Sequence, residues 1–279
     1  ACMMVGREVV LVVPKGASQP GETLLRLRNV SAESDRGLPA LRSVSLDVRA
    51  GEIVGIAGVA GNGQTELEEV IAGLRPATGG EMSICSHALA LGGKGEFCGV
   101  GLAHIPSDRY GMGLLRDFSV AENLVLQRVG DQPFTHRGWL NREAIRDSAR
   151  HLVADFDVRV PSVETYAGNL SGGNAQKMVL ARELSREPRV LLAAQPTRGL
   201  DVSAIEFVHR KLVEQRDSGV AILLVSTELD EILALSDRIA VMYEGRIMGV
   251  VDAREVDVNE IGLMMAGQSR SVGAGVEAS

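Results

Sequence analysis

Short aliphatic runs alternate with helical patterns along this sequence, and this alternation is the feature that most constrains its fold. Continuous runs of Val, Ile, Leu and Ala are typical of strands that are buried on both faces. Strands separated by helices pair in parallel, so the alternation predicts an α/β fold built on a mainly parallel sheet. The predicted strands are residues 52–58, 189–194, 220–226 and 238–245, and helical patterns occupy residues 64–74, 203–219 and much of 119–186.

The first predicted strand runs directly into a glycine-rich loop, GVAGNGQT. Its spacing is that of the phosphate-binding motif G-x-x-x-x-G-K-[ST], except that glutamine stands where lysine is expected. Backbone N–H groups of such a loop and the N-terminus of the next helix attract phosphate oxygens. The loop alone leaves two interpretations open, a phosphate site or an ordinary strand-to-helix turn. The candidate nucleotide-binding residues are Gly58, Val59, Ala60, Gly61, Asn62, Gly63, Gln64 and Thr65, and the hydroxyl of Thr65 is the candidate Mg²⁺ contact.

A second glycine motif, LSGGNAQK, precedes the helical pattern that leads into residues 189–194. Serine and glycine at a helix start expose backbone N–H groups that favour an anion. The alternative is a simple helix cap followed by glycines, but the full string is far more specific than a cap. The residues of this signature motif are Leu170, Ser171, Gly172, Gly173 and Asn174.

With both motifs in this order, the chain resembles the ATP-binding cassette (ABC) domains of ABC transporters over residues 23–267. The resemblance implies a P-loop NTPase core of the RecA-like type with a mainly parallel sheet and an N-terminal antiparallel β part. It also implies a helical subdomain at about residues 110–186. The ligands implied are ATP and Mg²⁺.

The strings GNGQTEL, LSGGNAQK, PTRGLDV and STELDE are most similar to one group within this family. That group is the second cassette of tandem ATP-binding proteins of simple-sugar and nucleoside importers, and the nucleoside branch is closest. MMVG at residues 3–6 resembles MMAG at residues 264–267, which favours a preceding copy of the domain. We therefore predict the tail of a preceding cassette plus a linker at residues 1–22, the cassette at 23–270 and a disordered tail at 271–279.

The catalytic positions implied by the resemblance are occupied by unsuited residues. In the family, an Asp that holds Mg²⁺ and a Glu that polarises the attacking water end the second motif's strand, where this chain has Ala194 and Gln195. Alanine cannot bind a cation, and glutamine can orient a water molecule but cannot take its proton. The switch histidine aligns with Thr227, and the coupling residue aligns with Ser107. This half's own site is therefore expected to hydrolyse ATP poorly or not at all.

The intact signature motif implies a partner. Family cassettes pair head to tail, so Ser171 and Gly173 would contact the γ-phosphate of an ATP molecule held by the partner cassette. Asp201 is expected at the dimer seam, or as the N-cap of the helix over residues 203–219, and both roles can hold together. The same helix pattern offers a start at Ser203 and a stop at Gly219.

Composition limits the other functions. The net charge of −7 argues against a nucleic-acid partner, and no apolar run approaches the length of a membrane span. Three cysteines and five histidines show no ligand spacing, so a structural metal site is not expected. The expected partners are therefore a partner cassette, transmembrane permease subunits and, indirectly, a substrate-binding lipoprotein. The expected location is the cytoplasmic face of the cell membrane, as a peripheral protein.

Three functions compete for this sequence. The favoured one is the energy-coupling domain of an ABC importer, and a non-hydrolysing scaffold or regulator with the same fold is the alternative. A soluble ABC ATPase of nucleic-acid repair or translation would need a coiled-coil insert or a basic face, and the sequence has neither. Two residues have open roles: Arg109 could contact a membrane partner, the nucleotide loop or a surface acid, and Trp139 is expected to pack within the helical insertion.

Overall fold

A six-stranded sheet forms the centre of the computed structural model, which describes residues 14–89, 99–255 and 257–268. Its strand order is β12-β11-β3-β10-β9-β6, and every neighbouring pair is parallel except the edge pair of β11 and β12. These strands are β3 (Ile53–Ala57), β6 (Leu102–Ile105), β9 (Val190–Ala194), β10 (Ala221–Val225), β11 (Arg238–Tyr243) and β12 (Arg246–Asp252). The mainly parallel core is thereby confirmed.

A second, antiparallel sheet packs on one face of the first. Its order is β2-β1-β4-β5, with β1 (Thr23–Glu33), β2 (Pro39–Arg49), β4 (Gly79–Ile84) and β5 (His87–Leu89). The long strands β1 and β2 alternate buried and exposed positions over much of their length, as expected for a sheet with one solvated face. This confirms the antiparallel N-terminal part.

Helices cover the other face and form the insertion. The insertion contains α2 (Val120–Val125), α3 (Arg142–Asp155) and α4 (Gly172–Leu184), whereas α1 (Gln64–Ile71), which follows β3, packs on the side of the antiparallel sheet. The remaining helices are α5 (Val202–Asp217), α6 (Leu229–Leu235) and α7 (Val258–Met265). Two short strands, β7 (Thr135–His136) and β8 (Trp139–Leu140), pair as a hairpin between α2 and α3.

The hairpin overturns one expectation. Trp139 is 81% exposed and does not pack within the insertion, because it lies on a two-stranded ribbon that extends from the helices. Aromatic residues are frequent in strands, and the sequence pattern did not reveal which face of so short a strand would be covered.

Two apolar clusters lie on either side of the parallel sheet. One joins the sheet to α4, α5 and the insertion, and the other fills the space between the two sheets and α1. Because β3, β9 and β10 are buried along their whole length, their ends are fixed relative to one another. Of the predicted N-terminal segment 1–22, only residues 14–22 are described, so MMVG at residues 3–6 lies outside the described residues. The predicted tail at residues 271–279 also lies outside them.

Candidate functional site

The glycine-rich loop lies where the sequence places it, between β3 and α1. Gly61 and Gly63 have φ values of 89° and 104°, which a side chain would strain, so glycine allows the loop to turn its backbone into the helix. The first N–H groups of α1 have no partner within the helix and point out of its N-terminus. A backbone arranged in this way favours an anion at the start of the helix.

The side chain of Gln64 occupies the interior of this loop. It is only 5% exposed, its Nε2 donates to the Val59 carbonyl at 3.1 Å, and its Oε1 accepts from the Asn62 N–H at 3.1 Å. A Cβ atom on Gly58 would lie 2.6 Å from Gln64 Nε2, so this glycine leaves space for the amide. One backbone N–H group of the glycine-rich loop, that of Asn62, is thus already bonded to a neutral side chain.

Asn62 braces the loop from outside. Its side-chain amide donates to the Val59 carbonyl at 3.0 Å, and its Oδ1 accepts from the Glu244 N–H at 2.8 Å. Its own carbonyl accepts from the Gly245 N–H at 2.9 Å. The loop is therefore attached to the turn between β11 and β12.

The residues that the family resemblance assigns to the catalytic positions lie at the carboxyl ends of neighbouring strands. Ala194 ends β9 and is fully buried, while Thr227 follows β10 and is exposed. Gln195 Oε1 accepts from the Thr227 hydroxyl at 3.1 Å and lies 3.4 Å from the Thr227 N–H. Because the N–H can only donate, these two contacts fix the oxygen of the amide toward Thr227.

Gln195 also has an unusual backbone. Its φ of 45° lies in the left-handed region, which costs a non-glycine residue roughly 1–2 kcal/mol. Its N–H donates to the Val225 carbonyl at 2.7 Å, so the neighbouring strand holds this conformation.

The signature motif opens α4. Ser171 is the N-cap and is exposed, but its hydroxyl makes no capping bond and instead accepts from the Asn174 amide at 3.0 Å. Asn174 Oδ1 accepts from the Arg159 N–H at 2.8 Å. The first-turn N–H groups of α4 remain directed outward, as the sequence predicts for an anion-binding helix start.

Asp201 is the N-cap of α5, which confirms one of its two predicted roles and shows that the helix does not start at Ser203. Its Oδ1 accepts from the Ser203 hydroxyl at 2.7 Å and from the Ala204 N–H at 3.0 Å. These two hydrogen bonds, the Ser203 bond first, lower the pKa of Asp201 below its usual range. The fold also brings Asp201 to the signature, since a Cβ on Gly173 would lie 3.6 Å from its Oδ2. Asp201 and residues of the signature motif line one cavity of about 280 Å³.

Arg109 and Glu68 are site-building residues that the motifs do not reveal. Arg109 donates to the main-chain carbonyls of Gly172, at 3.1 Å, and Arg198. Neither carbonyl belongs to the glycine-rich loop or to a surface acid, and the suggested contact with a membrane partner stays a prediction. Glu68 Oε1, on α1, accepts from His104 Nε2 at 3.0 Å and from the Ser107 N–H at 3.1 Å. No local pattern marks these contacts, because they join segments that are distant in the sequence.

The charge of Glu68 is stabilised where it lies. Burial opposes ionisation of this carboxyl, but the hydrogen bonds from His104 and Ser107 outweigh burial and lower its pKa.

The described residues contain no group of three or more His, Cys, Asp or Glu side chains arranged to hold a metal ion. They also contain no helix that is long and apolar enough to cross a membrane.

Comparison with known proteins gives consistent matches. A family profile described as ABC transporter matches residues 41–198. The guanosine import ATP-binding protein NupO of Bacillus subtilis (strain 168) is 47% identical over 270 residues, which are 97% of this chain and 53% of NupO. The glucose import ATP-binding protein TsgD13 of Haloferax volcanii is 47% identical over 267 residues, which are 95% of this chain and 48% of TsgD13. The chain spans about half the length of the curated relatives that it matches.

Solved structures share the fold. A dimeric post-hydrolysis state of the ATP-binding cassette MJ0796, bound to ADP and Pi, has a TM-score of 0.70 at 22% identity, covering 84% of this chain and 100% of that chain. The cassette MJ1267 has a TM-score of 0.73 at 22% identity, covering 88% and 98%. At these identities the likeness shows the fold alone.

Proposed function

Because the chain belongs to the ABC transporter family, we propose that it is the nucleotide-binding, energy-coupling domain of an importer for nucleosides or simple sugars. In this proposal it is the second cassette of a tandem protein, with a degenerate ATP site of its own. Its signature motif completes the ATP site of the partner cassette. Relatives named for guanosine, nucleoside and glucose import support the substrate class, and the match to about half of their length supports the tandem arrangement.

One observation carries the proposal of a degenerate site: the residues at the catalytic positions bond to each other. Gln195 turns its oxygen to Thr227, so the amide group that remains is a donor, whereas a general base must accept a proton. Ala194 offers no metal ligand, and Gln64 offers no charge for a phosphate oxygen. An attacking water molecule would therefore find no base, and developing charge on the phosphate would find no lysine ammonium group.

The glycine-rich loop of this chain nevertheless has some of the groups that a nucleotide needs. Gly61, Gly63 and the start of α1 would hold the phosphates, and the Thr65 hydroxyl would hold Mg²⁺. Bound ATP·Mg²⁺ supplies the triphosphate whose hydrolysis drives transport in this family. Gln64 already bonds one cradle N–H, so binding must either displace its amide or proceed with fewer donors, and affinity should be weak.

The signature side has the opposite character. Ser171 is exposed and its hydroxyl can still donate, while α4 directs first-turn N–H groups outward beside it. Asp201 lies next to Gly173 and would reach the seam with the partner. Permease subunits and a substrate-binding lipoprotein complete the proposed assembly, which would lie at the cytoplasmic face of the membrane.

The test uses the full tandem protein in its transporter. Ser171→Arg should abolish ATPase activity and transport, because a long side chain would occupy the position of the γ-phosphate. Gly173→Asp should do the same, because the added carboxylate would repel the γ-phosphate by about 4 kcal/mol at about 4 Å, which is roughly a thousandfold in rate. Gln64→Ala should have a much smaller effect, since the site it belongs to contributes little turnover.

Ser162→Arg is the matched control, because Ser162 is also exposed but lies away from the signature cavity. This control should retain wild-type turnover and transport. Small and equal effects of all four variants would refute the proposal and favour the alternative, a non-hydrolysing scaffold with the same fold.

A further inference from the structure

Arg109 connects the two loops that flank the signature cavity. Its Nη1 donates to the Gly172 carbonyl in the first turn of α4, and its Nη2 donates to the Arg198 carbonyl in the loop that leads to Asp201. A Cβ on Gly172 would lie 3.4 Å from Arg109 Nη1, so the guanidinium lies directly against the helix start. One side chain thus bonds both segments.

The segment that carries Arg109 is itself anchored. It begins at the end of β6, where Ser107 donates its N–H to Glu68 of α1. Asp108 accepts from the N–H groups of Tyr110 and Gly111, so its carboxylate is directed to its own turn and not to Arg109. The Tyr110 hydroxyl lies 3.4 Å from the Leu170 carbonyl and adds a second contact to the signature. The segment that carries Arg109 is therefore fixed relative to α1 and to the signature motif.

The charge of Arg109 makes this contact unusual. Within the described ranges 14–89, 99–255 and 257–268, no carboxylate forms an ion pair with it. Burial lowers the pKa of its guanidinium, and the nearby charge of Arg198 acts in the same direction. A half-buried cation paired only with carbonyls adds positive potential to that of the α4 N-terminus, which favours an anion at the same place.

We propose that Arg109 is a positioning residue of the composite ATP site. It fixes the start of the signature helix and the loop to Asp201 as one surface, so that both meet the nucleotide of the partner cassette together. The inference rests on the proposed function, in which the signature completes that site. Arginine suits this task because its planar fork reaches two acceptors at once, whereas lysine is a single point donor.

The experiment compares Arg109→Met and Arg109→Lys with an arginine control in the full tandem protein. In place of Arg116, which lies over the Tyr110 ring, the control is Arg150→Met, because Arg150 is exposed on α3 and pairs with Asp147 of the same helix. Arg109→Met should lower kcat by about 10- to 100-fold, the size expected when reacting groups are displaced by about 1 Å. Arg109→Lys should retain intermediate turnover, and Arg150→Met should match the wild type.

A double-mutant cycle with Ser171→Ala separates positioning from general damage. If Arg109 acts through the signature, Arg109→Met combined with Ser171→Ala loses less activity than the product of the two single losses. Urea unfolding midpoints identify any variant that is simply unstable, and Arg109→Lys, which keeps the charge, then carries the comparison. Losses that multiply, or an Arg109→Met turnover within about twofold of Arg150→Met, would overturn the inference.

The two proposals fail in distinguishable ways. An inactive Ser171→Arg protein with an active Arg109→Met protein refutes the role of Arg109 alone. An active Ser171→Arg protein refutes the composite site, and the inference about Arg109 falls with it.

Discussion

Glu231 supports two buried polar side chains, and its replacement by alanine should destabilise the domain strongly. Its Oε1 accepts from the Thr197 hydroxyl at 2.7 Å and from His209 Nε2 at 3.1 Å. All three residues are buried, with exposures of 5%, 7% and 4% for Glu231, Thr197 and His209. A buried donor that loses its acceptor costs about 1–3 kcal/mol, so two such donors should cost about 2–6 kcal/mol of unfolding free energy.

The same change should reach the signature face. Thr197 lies in the loop between β9 and Asp201, whereas Glu231 lies in α6, just after Thr227. Their hydrogen bond therefore connects the loop that leads to Asp201, at the proposed dimer seam, with the segment that follows Thr227. Loss of that bond should lower turnover in the full tandem protein as well as stability.

The assay is urea unfolding of the isolated chain, followed by circular dichroism. Asp230→Ala is the matched control, because Asp230 is the exposed neighbour in the same helix turn and should cost at most about 1 kcal/mol. Glu231→Gln keeps an acceptor oxygen and should fall between the two. An unfolding free energy for Glu231→Ala within about 0.5 kcal/mol of Asp230→Ala, less than one lost buried hydrogen bond, would refute the reasoning.

Three further predictions concern the site. The isolated chain should bind ATP·Mg²⁺ weakly and release phosphate no faster than background, so steady turnover by this half alone would contradict the proposal. Ala194→Asp with Gln195→Glu should not restore hydrolysis, because the lysine and histidine of the family remain absent; near-family turnover in the double variant would refute this. Because the pKa of Glu68 is lowered from 4.5, its stabilising effect is complete above about pH 4.5 and disappears as the pH falls through the native pKa. Glu68→Gln should therefore reduce the loss of stability between pH 6 and pH 3, measured by urea unfolding, and an unchanged loss would argue against the His104 contact.

The backbone of the site was predictable because the motifs carry their own local geometry. The strand Ile53–Ala57, the glycine loop and a helix that begins at Gln64 follow directly from the sequence, as does a helix that begins after Ser171. Glycine at positive φ and polar residues at helix starts specify these turns without distant contacts. The parallel sheet was predictable because buried aliphatic runs alternate with helical patterns along the sequence.

The side-chain partners were not predictable, because they depend on which loops the fold brings together. The sequence shows that Gln64 replaces a lysine, but not that its amide bonds Val59 and Asn62 within the loop. It shows Gln195 and Thr227 as separate substitutions, yet they form one hydrogen bond across two strand ends. Several roles for Arg109 were open from the sequence, and its contacts with the carbonyls of Gly172 and Arg198 were not among them.

The neutral residues of the proposed degenerate site form a self-consistent set. Gln64 and Gln195 satisfy their amide oxygens with nearby donors, and Ala194 leaves no buried charge at the end of β9. A carboxylate at this fully buried position would carry a desolvation cost that only a nearby cation could offset, and glutamine at position 64 provides none. Restoring one charged group at a time should therefore weaken the fold before it improves the chemistry. In the proposed assembly, this domain has to hold the signature motif in place for the partner cassette. Its glycine-rich loop can then be kept as part of the fold while the catalytic positions stay uncharged.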